Sequence, residues 1–294
     1  MNPNEVVSHI EPKKKWLDVD LQGLWRYRDL YYMNVKRDLI TQYKQTIMGP
    51  LWYLIQPMLT TIMYMFVFGG LAGISTDGVP QSLFYLCGVC LWTYFNSCFT
   101  SCSNVFTANQ GVFGKVYFPR LVVPLSSVTS NLIRFAIQFG MFIVVYLYYM
   151  IVKDYTLSLG FVNDYGYVLG TLVTAFLPLI LVFMVGMHAM SWGLIITSLT
   201  TKYRDLNLLV AFGVQLLMYA TPVIYPLSFA PVQYRVYLNA NPLTPIFEAF
   251  KYTFVGAGTF DVVSLGYSFI TLCIVMFFAV ILFNRTEQRF MDTV

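Results

Sequence analysis

Residues 36–70 read KRDLITQYKQTIMGPLWYLIQPMLTTIMYMFVFGG, and this stretch decides how the rest of the chain is understood. Its charged residues end at Lys44, and Gly49-Pro50 then breaks the local pattern. The twenty residues from Leu51 to Gly70 carry no charge. As a helix they extend about 30 Å, the thickness of one hydrocarbon core. Lys36, Arg37 and Lys44 all lie on the N-terminal side, so that side is expected to face the cytoplasm.

Composition agrees with a membrane reading. Of 294 residues, 57% are hydrophobic and only 11% charged, against about a quarter charged in ordinary soluble domains. Backbone groups in lipid must be satisfied internally, so long uncharged runs imply helices or a closed barrel. Period-2 alternation is absent, which leaves an all-α membrane protein. The first fifty residues are polar and too long for a signal peptide. The small net charge of +4 says little about partners, and no nucleic-acid partner is expected. Cys87, Cys90, Cys98, Cys102 and Cys273 all fall in apolar runs, which favours small buried residues over a metal or redox set.

Outward from the first span, residues 1–50 form a cytoplasmic arm and an interface helix. Over 21–44, Leu21, Leu24, Trp25, Tyr32, Val35 and Leu39 recur at helical spacing opposite Arg26, Asp29, Lys36 and Arg37. That pattern predicts an amphipathic helix lying in the cytoplasmic interface. The remainder, 51–294, is one transmembrane domain with six spans expected at about 51–70, 82–106, 121–151, 167–199, 207–224 and 262–284. The fourth is expected to be interrupted by Pro178 and Gly186. Between spans five and six, residues 229–258 contain two short apolar pieces, too short to cross, which predict re-entrant or interfacial helices on the outer side. On this topology fourteen of the eighteen Lys and Arg residues face the cytoplasm and three face outward, with both termini inside. The eighteenth, Arg134, lies within the third span, where it either snorkels to the interface or serves a pathway. His188, late in the fourth span, is either bonded between helices or part of a proton relay.

No catalytic constellation emerges. Gly111-Val112-Phe113-Gly114-Lys115 resembles a phosphate loop only superficially, because Val116 stands where Ser or Thr is required. None of the six expected spans contains Asp or Glu. Ion-coupled carriers commonly place a carboxylate there, so this chain is expected to take its energy from a separate ATPase. The competing expectation is an ion-driven flippase of lipid-linked sugars, or an ABC exporter of drugs or lipids.

Several blocks, in order, carry a resemblance: Arg37-Asp38 with Tyr43-Lys44-Gln45, Gly49-x-x-Trp52, Gln56-Pro57, Phe68-Gly69, Gly88 with Trp92, and Val116-Tyr117-Phe118-Pro119-Arg120. They continue with Tyr203-Arg204-Asp205, Thr221-Pro222-Val223-Ile224-Tyr225-Pro226 and Asn241-Pro242. From about residue 20 onward the chain resembles the permease subunits of type-2 ABC exporters of cell-surface polysaccharides, such as O-antigen, capsule and teichoic acid. The resemblance implies a bacterial inner-membrane homodimer carrying two cytoplasmic ABC ATPase subunits, with ATP and magnesium bound by those partners and no cofactor on this chain. It implies a lipid-linked polysaccharide as cargo. It also implies that the loop holding Gly111, Val112, Phe113, Gly114, Lys115, Tyr117 and Arg120 docks on the ATPase. The segment with Trp25, Arg37, Asp38, Tyr43 and Lys44 would lie at the cytoplasmic entrance. Aromatic residues make up 18% of the chain, and neutral rings suit sugar faces without trapping them by charge. Tyr53, Tyr64, Trp92 and Tyr94 are candidates for such a path.

Overall fold

A computed structural model describes residues 21–44, 46–113, 118–153, 160–203 and 205–293. These residues form no strand. In chain order the helices are α1 (Leu21–Arg26), α2 (Arg28–Tyr43), α3 (Trp52–Tyr64), α4 (Gln81–Ser103), α5 (Val105–Ala108), α6 (Gln110–Phe113) and α7 (Val122–Val152). They continue as α8 (Gly160–Tyr165), α9 (Tyr167–Thr200), α10 (Leu206–Tyr219), α11 (Val232–Ala240), α12 (Thr244–Val255) and α13 (Val262–Thr293).

The break read at Gly49-Pro50 is a single 3-10 turn, Gly49–Leu51, with proline at its start where a missing N–H costs nothing. α3 then widens into a π-helical turn over Met65–Leu71. Among the described residues, five segments are long and apolar enough to cross a membrane: Gly49–Leu71, Gln81–Ser103, Val122–Val152, Tyr167–Thr200 and Val262–Glu287.

The region expected as a fifth span, 207–224, takes a different form. α10 has 14 residues, about 21 Å, and stops short of a full core. Pro222 and Pro226 cannot continue the helix. The chain instead runs as a buried turn whose polar groups find side-chain partners. Asn241 Nδ2 donates to Ala220 O (3.1 Å) and Thr221 Oγ1 (2.9 Å), and Lys251 Nζ donates to Pro222 O.

α4 is the hub. Leu83 to Trp92 are buried without interruption, and α3, α7, α9 and α12 all pack on it. Lipid tails are as apolar as leucine, so close packing rather than dehydration must hold these helices together. Gly88 shows how close: a Cβ there would stand 2.6 Å from Val223 O. Gly186 does not interrupt the fourth span, and neither does Pro178, since α9 is continuous through both. Gly186 instead leaves room for the Tyr94 hydroxyl, so its role is a packing notch. Cys87, Cys90, Cys98 and Cys102 are buried and Cys273 is exposed, all as free thiols.

The expected interface helix is two pieces, hinged at Tyr27, where ψ is 23°. Leu24, Tyr27, Leu30 and Tyr31 pack against a cluster built on Phe106, Phe113 and Phe283. Trp25 and Tyr32, expected on the same apolar face, are exposed. Between α10 and α13 the two short helices part company. α11 has no buried residue, whereas α12 is buried almost throughout, its charged Glu248 and Lys251 included.

Candidate functional site: a neutral groove between α4 and α10

One face of α4 presents Trp92, Asn96 and Thr100, continued by the C-cap Asn104, each four residues after the last, with Phe99 and Ser103 beside them. Facing them, α10 contributes Asn207, Gln215, Met218 and Tyr219 over a floor of Val210, Ala211 and Val214. Together they enclose a groove of about 570 Å³, and among the described residues no charged side chain lines it. The amides stay available to a ligand. Asn104 Nδ2 donates to Thr100 O (3.0 Å), which leaves its carbonyl oxygen free to accept. Thr100 Oγ1 meets Asn96 Oδ1 only at 3.4 Å. Such a surface suits a neutral polyhydroxylated ligand, with amides and hydroxyls for hydrogen bonds and rings for stacking.

The four candidate aromatics are not gathered in one place. Trp92 lines the groove. Tyr64 stands at its edge, donating to Met218 Sδ at 3.3 Å. Tyr53 lies 5.7 Å from the Arg134 guanidinium. Tyr94 is in the core against Phe135, ring centroids 5.3 Å apart. The residues missed are Asn96, Thr100, Asn104, Asn207, Gln215 and Tyr219. The four-residue spacing of the polar positions on α4 was a usable signal for half of them. Only folding pairs α4 with α10, more than a hundred residues away in sequence.

Beside α2, Arg134 Nη1 donates to Asn131 Oδ1 (2.7 Å) and Nη2 to Asp38 O (3.4 Å), tying α7 to α2. The Asp38 carboxylate pairs instead with Arg37, at 3.1 Å. Trp25 carries Arg28 over its ring at 5.8 Å, and Lys44 closes α2 by donating its backbone N–H to Ile40 O. The side chain of Tyr43 lies outside the described residues. His188 is fully buried, its Nε2 3.2 Å from Ser268 O on α13, so it joins two helices.

In the expected ATPase-docking loop, Gly111 is exposed and Phe113 is buried. The Val112 side chain and all of Gly114, Lys115 and Tyr117 lie outside the described residues. Arg120 is buried, 5.0 Å over the Phe113 ring, with its Nη1 donating to Glu287 O (3.3 Å) near the end of α13. The loop's two ends and the C-terminal helix thus meet at one guanidinium.

The ABC-2 type transporter family matches residues 29–255. An O-antigen export system permease protein RfbA of Klebsiella pneumoniae is 27% identical over 267 residues, covering 90% of this chain and 94% of the relative. The protein of the same name from Myxococcus xanthus is 24% identical, covering 80% and 83%. The polysialic acid transport protein KpsM of Escherichia coli is 21% identical, covering 87% and 93%.

Proposed function

This chain belongs to the ABC-2 type transporter family, and from that premise we propose that it is the membrane-spanning subunit of a polysaccharide exporter of the inner membrane, with the groove between α4 and α10 as its passage. The relatives named for O-antigen export and polysialic acid transport support the cargo class. A lipid-linked polysaccharide is taken up on the cytoplasmic side, near α2 and Arg134, and leaves past α11 and α12. A second copy of the chain completes the passage, since the short α10 leaves one wall of the groove to a single helix of 14 residues. Two ATPase chains bind ATP and magnesium and dock at the loop between α6 and α7. Both termini lie in the cytoplasm, in keeping with the excess of basic residues assigned there.

The observation that carries this reading is the uncharged lining of amides and rings. Its test is steric. Asn96→Trp and Gln215→Trp each fill the groove from one wall without adding charge. Surface polysaccharide should fall at least tenfold, with polymer accumulating inside the cell and the chain still present in the membrane. Undiminished surface polymer in both variants would exclude the groove as the passage.

A further inference from the structure

We propose that Lys251 is a positioning residue of the outer gate: paired with Glu248, its ammonium pins the turn Pro222–Tyr225 and so sets how far the outer end of α10 stands from α4. The inference rests on the reading of the groove as a passage. It concerns residues that line no part of it.

Lys251 is 1% exposed and Glu248 2% exposed, on successive turns of α12 with Nζ 3.9 Å from Oε1. Nζ donates to Pro222 O and, at 3.4 Å, to Tyr225 O, and lies 4.3 Å from the Phe84 ring centre on α4. Glu248 Oε2 accepts the Thr259 N–H at 3.2 Å, anchoring the other side of the pair. The ammonium therefore joins three elements: α12, the face of α4, and the turn that ends α10. The turn leads back to the groove, since Tyr225 Oη donates to Tyr219 O at 2.8 Å and Tyr219 lines the wall.

A buried ion pair is a poor device for stability alone, because apolar residues of similar size generally do as well or better. It is a good device for position. An ammonium with three donors selects two particular carbonyls, and the backbone bond within the turn, Val223 N–H to Thr221 O at 2.7 Å, leaves the Pro222 and Tyr225 carbonyls to the ammonium. Removing the ammonium frees the turn and lets the outer end of α10 move away from α4.

The test is a leak assay in whole cells expressing the full chain. The cells lack a galactoside carrier and contain cytoplasmic β-galactosidase, and the probe is o-nitrophenyl galactoside. Lys251→Met should raise probe hydrolysis several-fold while leaving an unpaired buried carboxylate that lowers chain abundance. Glu248→Gln combined with Lys251→Met removes that carboxylate charge, so abundance and thermal midpoint recover while the leak persists. Phe84→Leu keeps the pair, loses the ring face, and should leak less than Lys251→Met but more than the natural chain. A double variant that recovers abundance and is as tight as the natural chain would overturn the proposal, because the pair would then serve stability only. Absence of leak in Phe84→Leu would overturn it equally if Lys251→Met does not accumulate. Adding Asn96→Trp to a leaking variant separates the two readings. Loss of the leak supports both, and a leak that persists refutes the groove as passage and the gate role with it, whereas a tight double variant overturns the role of Lys251 alone.

Discussion

Asp261 stands just before α13 and accepts hydrogen bonds from Val263 N (3.2 Å), Ser264 N (3.0 Å) and Ser264 Oγ (2.6 Å). It caps the helix that carries the last span. The Ser264 hydroxyl, then the two backbone N–H groups, hold its carboxyl below the usual carboxylate range. A depressed folded value means that the contribution is complete above the ordinary range and disappears as pH falls through the folded value. The difference in thermal midpoint between the natural chain and Asp261→Ala should therefore be full at pH 7 and shrink toward zero below about pH 4. A difference independent of pH would assign the effect to something other than the ionised cap. At this scale the sequence was only partly readable. His188 was framed correctly as a choice between an interhelical bond and a relay, and the Ser268 carbonyl identifies the bond. Glu248 and Lys251 were indistinguishable from surface charges in an outer loop, because nothing in their local sequence records that α12 would be enclosed by α4 and α9.

Among the helices, α4 sets the spacing for its neighbours. Gly88 lies against the backbone of Val223, and a main-chain carbonyl cannot swing aside as a side chain can. Gly88→Ala should therefore cost about 1–3 kcal/mol, the usual range for an overfilled core. The cost appears as a lower thermal midpoint in detergent, with export reduced at elevated temperature first. An unchanged midpoint would mean that the turn is looser than its contacts imply. Helix existence was legible wherever hydropathy ran unbroken for twenty residues or more, as in α7, α9 and α13. It was less legible at α10, where apolar composition suggested a whole span but two prolines end the helix early. The interface segment was legible as helix, yet its faces were not, since Trp25 and Tyr32 keep the spacing of packed residues while remaining exposed.

For the whole molecule, the proposed role makes this chain a passage that draws its energy from a partner. The full chain purified by itself is expected to hydrolyse no ATP, and co-expression with its ATPase is expected to yield a stable complex. Uphill polymer movement by vesicles holding only this chain, under a proton gradient, would contradict the assignment. The family was open to reading from blocks such as Tyr203-Arg204-Asp205. The groove was not, because it arises from pairing α4 with α10 across more than a hundred residues, and helical periodicity is blind to partners that distant.

The polar rungs Asn96 and Thr100 of α4, with Asn104 at its cap, recur every four residues, about 6 Å along the axis. On the proposal that the groove is the passage, a filament advanced by one rung would exchange each contact for one of the same kind, so successive registers would be nearly equal in energy and the barrier between them would repeat. Resistance per step would then be the same for a long filament as for a short one, and the final size of the product would be fixed away from this helix.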